Sequence, residues 1–123
     1  MTPEMEYLNG SLDSLFSVAE HGGVTHISPH IFFDGEGSGF EFYTLDSHTC
    51  KITTDRSFSE WYGYISTDEE ERFEKMTKLI CRRYGLEWDA ERLVLSITFR
   101  RNRYTLAEAI LRLEGGVLFL SEL

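Results

Sequence analysis

Three of the four histidines, His21, His26 and His30, stand within ten residues of one another, and histidine is the commonest metal ligand among side chains. A zinc site needs ligands that converge on the ion at about 2.0–2.3 Å. The segment around them is β-prone, and on an extended chain His26 and His30 lie on the same side but about 13 Å apart. We therefore expect no metal site, and a metal-dependent enzyme using these three histidines is kept only as an alternative.

Other patterns that carry chemistry are missing from the sequence. The glycine-rich segment at 34–39, DGEGSG, has no Lys after it, as a phosphate-binding loop would. A calcium loop that began at Asp34 would have Leu45 at its twelfth position instead of a bidentate Glu. Neither Cys50 nor Cys81 stands in a catalytic pattern, and there is no GxSxG motif. The sequence thus predicts a protein that is not an enzyme and needs no cofactor.

Charge is distributed unevenly along the chain, whose net charge is -9. Residues 1–50 contain eight acidic residues and no Lys or Arg, whereas residues 51–123 are nearly balanced. An acidic field repels nucleic acid and attracts basic protein surfaces, so the acidic part is the predicted partner-binding surface. Its candidate residues are Glu4, Glu6, Asp13, Glu20, Asp34, Glu36, Glu41 and Asp46.

A group of arginines supports a second interpretation, in which the chain binds nucleic acid. Its candidate residues are Arg82, Arg83, Arg100, Arg101 and Arg103. The neighbouring aromatic residues Tyr84 and Tyr104 could stack on bases. The acidic pI of about 4.8 is unlike that of most nucleic-acid binders, so this function stays an alternative.

Length and composition indicate one domain in a reducing compartment. A chain of 123 residues with 41% hydrophobic residues is long enough for a single core. Its apolar runs are too short to span a membrane, and its first residues lack the basic and apolar regions of a secretory signal. Two distant cysteines do not suggest a disulfide framework. We therefore expect a cytoplasmic protein.

The first half of the chain has the pattern of one helix followed by a meander. Apolar residues recur at helical spacing from Met5 to Ala19, and Gly22-Gly23 would end that helix. Four β-prone segments follow, separated by Pro29 and by turn-forming residues. They are residues 24–27, 31–33, 40–45 and 50–54.

The second half predicts three helices and a strand. A short helix covers residues 57–65, and capping boxes of Ser66 with Glu69 and of Thr67 with Glu70 start the next, which Gly85 closes. Residues 93–99 alternate as in a strand. The last helix runs from residue 105 through Gly115-Gly116, unless residues 117–120 form a strand.

Together these elements predict an α+β fold, in which helices pack on an antiparallel meander of about three to four strands. The last helix has apolar residues around much of its circumference. Leu111 and Leu118 lie outside its main apolar stripe, so a homodimer through this helix is a further expectation.

The stretch ISPHIFFDGEGSGFEFYTLDSHTCKITTDRSFSEWYGY resembles a bacterial and phage family known as domain of unknown function 1828. Residues 28–30 stand where that family has a Thr-Pro-Phe-like motif. Residues 52–56 stand at its Leu-Ser/Thr-Asp-Asp-Gly-like turn, with Arg56 in place of the glycine. The resemblance implies an N-terminal helix, a hairpin, further helices, a strand and a closing helix, and it implies no activity.

The leading prediction combines the acidic surface with that resemblance. It is a non-enzymatic inhibitor from a phage or mobile element, which docks on a basic surface of a nucleic-acid-handling protein as a nucleic-acid mimic does.

Overall fold

The computed structural model of the protein describes residues 16–29, 39–102 and 105–121. These residues have an α+β fold, and none of their helices is long and apolar enough to cross a membrane. The strands are β1 (Phe16–His21), β2 (Val24–Pro29), β3 (Phe40–Thr44), β4 (Thr49–Thr54), β5 (Glu87–Asp89) and β6 (Val94–Arg100). The helices are α1 (Arg56–Ile65), α2 (Glu70–Tyr84) and α3 (Thr105–Ser121).

The six described strands form one sheet in which every neighbouring pair is antiparallel, in the order β1-β2-β3-β4-β6-β5. The first four strands follow one another as a meander. The chain then leaves the sheet for α1 and α2 and returns through the β5–β6 hairpin. Because β6 pairs with β4, this last hairpin extends the meander instead of forming a separate sheet.

One face of the sheet carries the core. In β4 the side chains of Cys50, Ile52 and Thr54 are buried, and the residues between them are partly exposed, as the two-residue period of a strand requires. Phe40 and Phe42 lie beside Thr54 and Ile52 on the same face. Helix α3 packs over β6 and β4, and α2 packs against α3 and β5.

Helix α1 joins this core through its aromatic residues. The ring of Tyr62 lies 4.8 Å from that of Trp88 on β5 and 5.8 Å from that of Phe73 on α2. The Tyr62 hydroxyl is hydrogen-bonded to the Thr77 hydroxyl at 2.8 Å, so its polar end is satisfied inside the core. The short predicted helix at residues 57–65 is thereby confirmed.

The predicted N-terminal helix is wrong where it overlaps the described residues. Phe16–His21 is a strand that pairs with Val24–Pro29 over six residue pairs, and Gly22-Gly23 is the turn between them. Both glycines have positive φ, +61° and +82°, as a two-residue type I′ turn requires. The rest of that predicted helix, and the predicted strand at residues 31–33, lie outside the described residues.

The number of strands was also underestimated, since three to four were predicted and six are described. β1 was assigned to a helix, and β5 was not predicted. The capping boxes at the start of α2 are wrong as well. The N-cap residue is Glu69, no side chain caps it, and the Thr67 hydroxyl instead donates to the Gly63 carbonyl.

The last helix is continuous through Gly115-Gly116, as predicted, so residues 117–120 are helical. The glycines lie at the contact between α3 and α2. A Cβ on Gly116 would lie 2.7 Å from Leu86 Cδ1 and 3.0 Å from Ile80 Cγ2. The pair therefore lets the two elements approach more closely than any side chain would allow.

Candidate functional site

The acidic candidates that the structure describes are Glu20, Glu41 and Asp46, and they lie on different sides of the sheet. Glu20 is exposed on β1 beside the buried Thr25, whose hydroxyl donates to Glu20 Oε1 at 3.5 Å, so it lies on the helix side. Glu41 lies on the opposite face of β3. The other predicted acids, Glu4, Glu6, Asp13, Asp34 and Glu36, lie outside the described residues.

Glu41 is part of a polar sheet face. The antiparallel register sets it opposite His26 on β2 and Thr53 on β4. The Tyr43 hydroxyl donates to Glu41 Oε1 at 3.2 Å. Burial raises the pKa of Tyr43 most, and the charge of Glu41 raises it further. This face therefore carries a carboxylate and a phenol that are bonded to each other, with His26 and Lys51 on the neighbouring strands.

Asp46 has a structural role in the β3–β4 turn in addition to its charge. Its Oδ1 accepts hydrogen bonds from the backbone N–H groups of His48 at 2.7 Å and of Thr49 at 2.8 Å. These bonds hold the pKa of Asp46 below its usual value, and the bond from His48 has the largest effect. The carboxylate thus stays ionised at the exposed end of the sheet.

The arginine candidates fall into two places. Arg82 and Arg83 end α2 and, with Leu79 and Tyr84, line a surface depression of about 570 Å³. Arg100 ends β6, and the backbone N–H of Arg101 donates to the His48 carbonyl at 2.8 Å. Neither Arg100 nor Arg101 lines that depression, and Arg103 lies outside the described residues.

The histidines are spread over strand and turn. His26 is half-buried on β2, His48 is exposed in the β3–β4 turn, and His30 lies outside the described residues. His21 ends β1, opposite Val24. Within the described residues, no group of three or more His, Cys, Asp or Glu side chains is placed to hold a metal ion.

Asp55 and Glu60 are two carboxylates at the start of α1, and both have structural partners. Asp55 caps the helix by accepting from the Phe58 N–H at 3.2 Å, and burial raises the pKa of its carboxyl. Glu60 forms an exposed ion pair with Arg56 at 3.0 Å. These contacts stabilise α1, and this structural role explains both carboxylates.

Glu114, in the middle of α3, was not among the residues predicted from the sequence. Its residue is only 9% exposed, and its Oε1 is buried without a hydrogen-bond partner among the described residues. Burial raises the pKa of its carboxyl, and no charge from the described residues contributes to that shift. A buried, unsatisfied carboxyl is rare enough in a folded protein to require an explanation.

A signal for Glu114 was present in the sequence. Glu114 follows Ile110 by four residues and Leu113 by one. Helical spacing therefore places it beside the apolar stripe of α3 instead of on the charged side of the helix. The charged residues Glu108 and Arg112 point elsewhere and form an ion pair at 2.7 Å. An isolated acid at such a position is the pattern that could have singled out this residue.

Comparisons of the chain with protein-family models, with curated proteins and with solved structures find no match. The resemblance to domain of unknown function 1828 therefore stays a prediction.

Proposed function

We propose that this chain is a non-enzymatic acidic protein that docks on a basic surface of a nucleic-acid-handling protein, as a nucleic-acid mimic does. One observation carries the proposal. The described part of the β1–β3 region, residues 16–29 and 39–50, contains the carboxylates of Glu20, Glu41 and Asp46 and no Lys or Arg. An inhibitory role, a phage or mobile-element origin and a cytoplasmic location belong to the proposal and are supported by the sequence alone.

The placement of these carboxylates suits electrostatic attraction more than a shaped pocket. Glu20 and Glu41 lie on opposite faces of the sheet and Asp46 lies in the β3–β4 turn, so the three carboxylates do not line one pocket. Fields of one sign raise association rates with oppositely charged proteins and are screened by salt over about 10 Å at 0.1 M. Affinity for the partner should therefore depend on ionic strength.

The test measures association with the protein that co-purifies with the tagged chain from its native host. Reversing Glu20 and Glu41 together to Lys should slow association by about tenfold, with little change in dissociation. The matched control reverses Glu87 and Glu91, which are exposed at the β5 edge, and gives the same change in net charge. Equal effects of the two double variants, or binding insensitive to salt, would contradict the proposal.

A second function, nucleic-acid binding, is favoured by the exposed Arg82 and Arg83 beside Tyr84 in the α2 depression. Guanidinium groups next to an aromatic ring can hold a phosphate backbone and stack on a base. Gel shifts with single- and double-stranded DNA and RNA at low salt test it. Binding should be lost in the Arg82→Ala, Arg83→Ala double variant and kept when Lys75 and Lys78 are replaced instead.

The proposal also includes self-association through α3. Leu111 is 63% exposed and Phe119 is 44% exposed on this helix, whose other exposed residues are Glu108, Arg112 and Ser121. A second copy that packs on this helix would cover both apolar side chains. No observation in the described residues favours the histidine-dependent enzyme, and it is not proposed.

A further inference from the structure

The two edge strands of the sheet differ in how well they are protected against pairing with another chain. β1 and β5 are the outer strands in the order of the sheet. β5 has only three residues, and a very short strand is one of the ways in which natural proteins protect an edge. β1 has six residues, all paired with β2 in one uninterrupted register without a bulge. It also contains no Lys and no Pro, the residues that commonly block an edge.

The turn at Gly22-Gly23 determines which backbone groups of β1 face away from β2. A two-residue turn joins a residue pair, here His21 and Val24, whose backbones are hydrogen-bonded to each other. Antiparallel pairs alternate between bonded and non-bonded, so Val18 and Glu20 belong to non-bonded pairs. Their N–H and C=O groups therefore point outward, where no described strand pairs with them. An extended segment that lies along β1 can bond to all four groups.

Charge indicates what kind of segment this edge attracts. Glu20 is exposed on β1, and the strands β1, β2 and β3 contain no Lys or Arg. The first described cation along the sheet is Lys51 on β4, three strands from β1 and so roughly 14 Å away. On an added strand, the Cβ atom of a Lys or Arg directly opposite Glu20 would lie about 5 Å from that of Glu20. A basic segment is therefore attracted to this edge, and an acidic segment is repelled.

We propose that β1 takes up an extended segment of the basic partner as an added strand, with a Lys or Arg side chain opposite Glu20. The backbone of that segment bonds to Val18 and Glu20. Strand addition of this kind obtains affinity from main-chain hydrogen bonds and specificity from alternate side chains. The inference rests on the proposed docking on a basic surface, and it adds to that function the site and the backbone conformation of the partner segment.

A second copy of this chain suits the same edge less well. Paired residues point to the same face of a sheet, so the two antiparallel registers of largest overlap pair Val18 with Val18 or Ala19 with Ala19. In the first register Glu20 lies opposite Phe16, and in the second it lies opposite Val18. Neither register sets a cation opposite Glu20, and each brings two regions without Lys or Arg together. The charge of β1 to β3 therefore favours a basic partner over a second copy.

The experiment adds a short synthetic peptide of alternating Lys and Val to the isotope-labelled full chain and follows amide hydrogen exchange by NMR. Exchange of the Val18 and Glu20 amides should slow about tenfold near saturation, because their N–H groups then bond to the peptide. A peptide with Glu in place of Lys should cause no change. A Lys-Val peptide with Pro in place of its central Val has the same charge but pairs poorly as a strand, and it should bind at least about tenfold more weakly.

Two variants separate the backbone from the charge. Val18→Pro removes an outward N–H, a loss that an edge strand tolerates, and should abolish the slower exchange at Glu20. Glu20→Gln keeps the backbone and removes the charge, so the Lys-Val peptide should bind about threefold more weakly. The matched control is Glu87→Gln, which removes the same charge from edge strand β5 and should bind the peptide as the wild type does. Circular dichroism shows whether Val18→Pro is folded, and Glu20→Gln carries the test if it is not.

Other outcomes would overturn the proposal in different ways. Slower exchange at Glu87–Asp89 instead of β1 would show that the wrong edge was chosen. No change in any amide up to about 1 mM peptide would overturn strand addition. Slower exchange of Val18 and Glu20 in the chain alone, as its concentration rises, would identify a second copy as the occupant and overturn the basic segment. None of these results affects the salt-dependent association with the co-purified protein, which tests the proposed function separately.

Discussion

Gly22-Gly23 and Gly115-Gly116 place the same dipeptide in two settings that need glycine for different reasons. In the β1–β2 turn both φ angles are positive, and a Cβ on either glycine would meet nothing within 4 Å. In α3 a Cβ on Gly116 would lie 2.7 Å from Leu86 Cδ1, and one on Gly115 would lie 3.0 Å from the Tyr84 ring. The first pair is needed for its backbone conformation, and the second for its lack of a side chain.

Each pair positions one of the proposed surfaces. The turn at Gly22-Gly23 joins β1 to β2 and sets the register that leaves Glu20 exposed at the sheet edge. The pair at Gly115-Gly116 brings α3 against Ile80 and Tyr84 of α2 and so positions the helix that carries Leu111 and Phe119. A glycine pair in a sequence therefore has no assigned structural role until its contacts are known.

The largest expected effect is at Gly116. Gly116→Val should destabilise the protein by about 3 kcal/mol, because the added side chain overlaps Leu86 and Ile80 in a packed core. Urea unfolding measures the change. Valine has a higher helix propensity than glycine, so propensity does not contribute to this loss. Leu79→Val, at an exposed helical position, is the control for a β-branched residue within a helix and should cost well under about 1 kcal/mol. Similar costs for the two variants would show that the core beside Gly116 yields easily.

A smaller effect is expected in the turn, where the identity of the new residue matters more than its size. Gly22→Ala should destabilise by about 1–2 kcal/mol, because alanine is strained at a φ of +61°. Gly22→Asn should be nearly neutral, because Asn-Gly is a favoured type I′ pair. Thermal unfolding of the two variants tests this. If the alanine variant is as stable as the asparagine variant, the requirement for positive φ is wrong.

Much of the second half of the fold follows from local pattern. Helix α2 has its apolar side at regular spacing, and Gly85 ends it in the left-handed conformation, with a φ of +69°. Residues 93–99 alternate in the sequence, and Val94–Arg100 forms β6. These elements were predicted because their own residues determine their conformation, and tertiary contacts agree with the local preference.

The edges of the sheet did not follow from local pattern. Leu12, Leu15, Phe16 and Ala19 match helical spacing, yet Phe16–His21 gains six strand pairs by folding back on Val24–Pro29. β5 has only three residues, too few for alternation to show. In both places the deciding contact is with another segment, and single-segment periodicity does not report it.

The candidate site was predictable in composition and not in arrangement. The absence of Lys and Arg from the first fifty residues is visible in the sequence. That Glu20 and Glu41 lie on opposite faces depends on strand register, since a shift of one residue exchanges the faces. Glu114 was missed because whether an acid beside an apolar stripe finds a partner depends on the elements packed around it.

The smallest expected effect lies within the second glycine pair and tests whether its two members are equivalent. Gly115→Ala gains up to about 1 kcal/mol of helix propensity but sets a methyl 3.0 Å from Tyr84 Cε1. Because Tyr84 is only partly buried, its ring can shift by a few tenths of an ångström, and the net change should be within about 0.5 kcal/mol of zero.

A double-mutant cycle with Tyr84→Leu separates the two contributions to that balance. If the ring opposes the methyl group, Gly115→Ala should become stabilising by about 1 kcal/mol once the ring is removed, as measured by urea unfolding. An unchanged effect would mean that the Tyr84 ring does not constrain residue 115. In that case Gly116 alone would explain why α3 needs glycine at its contact with α2.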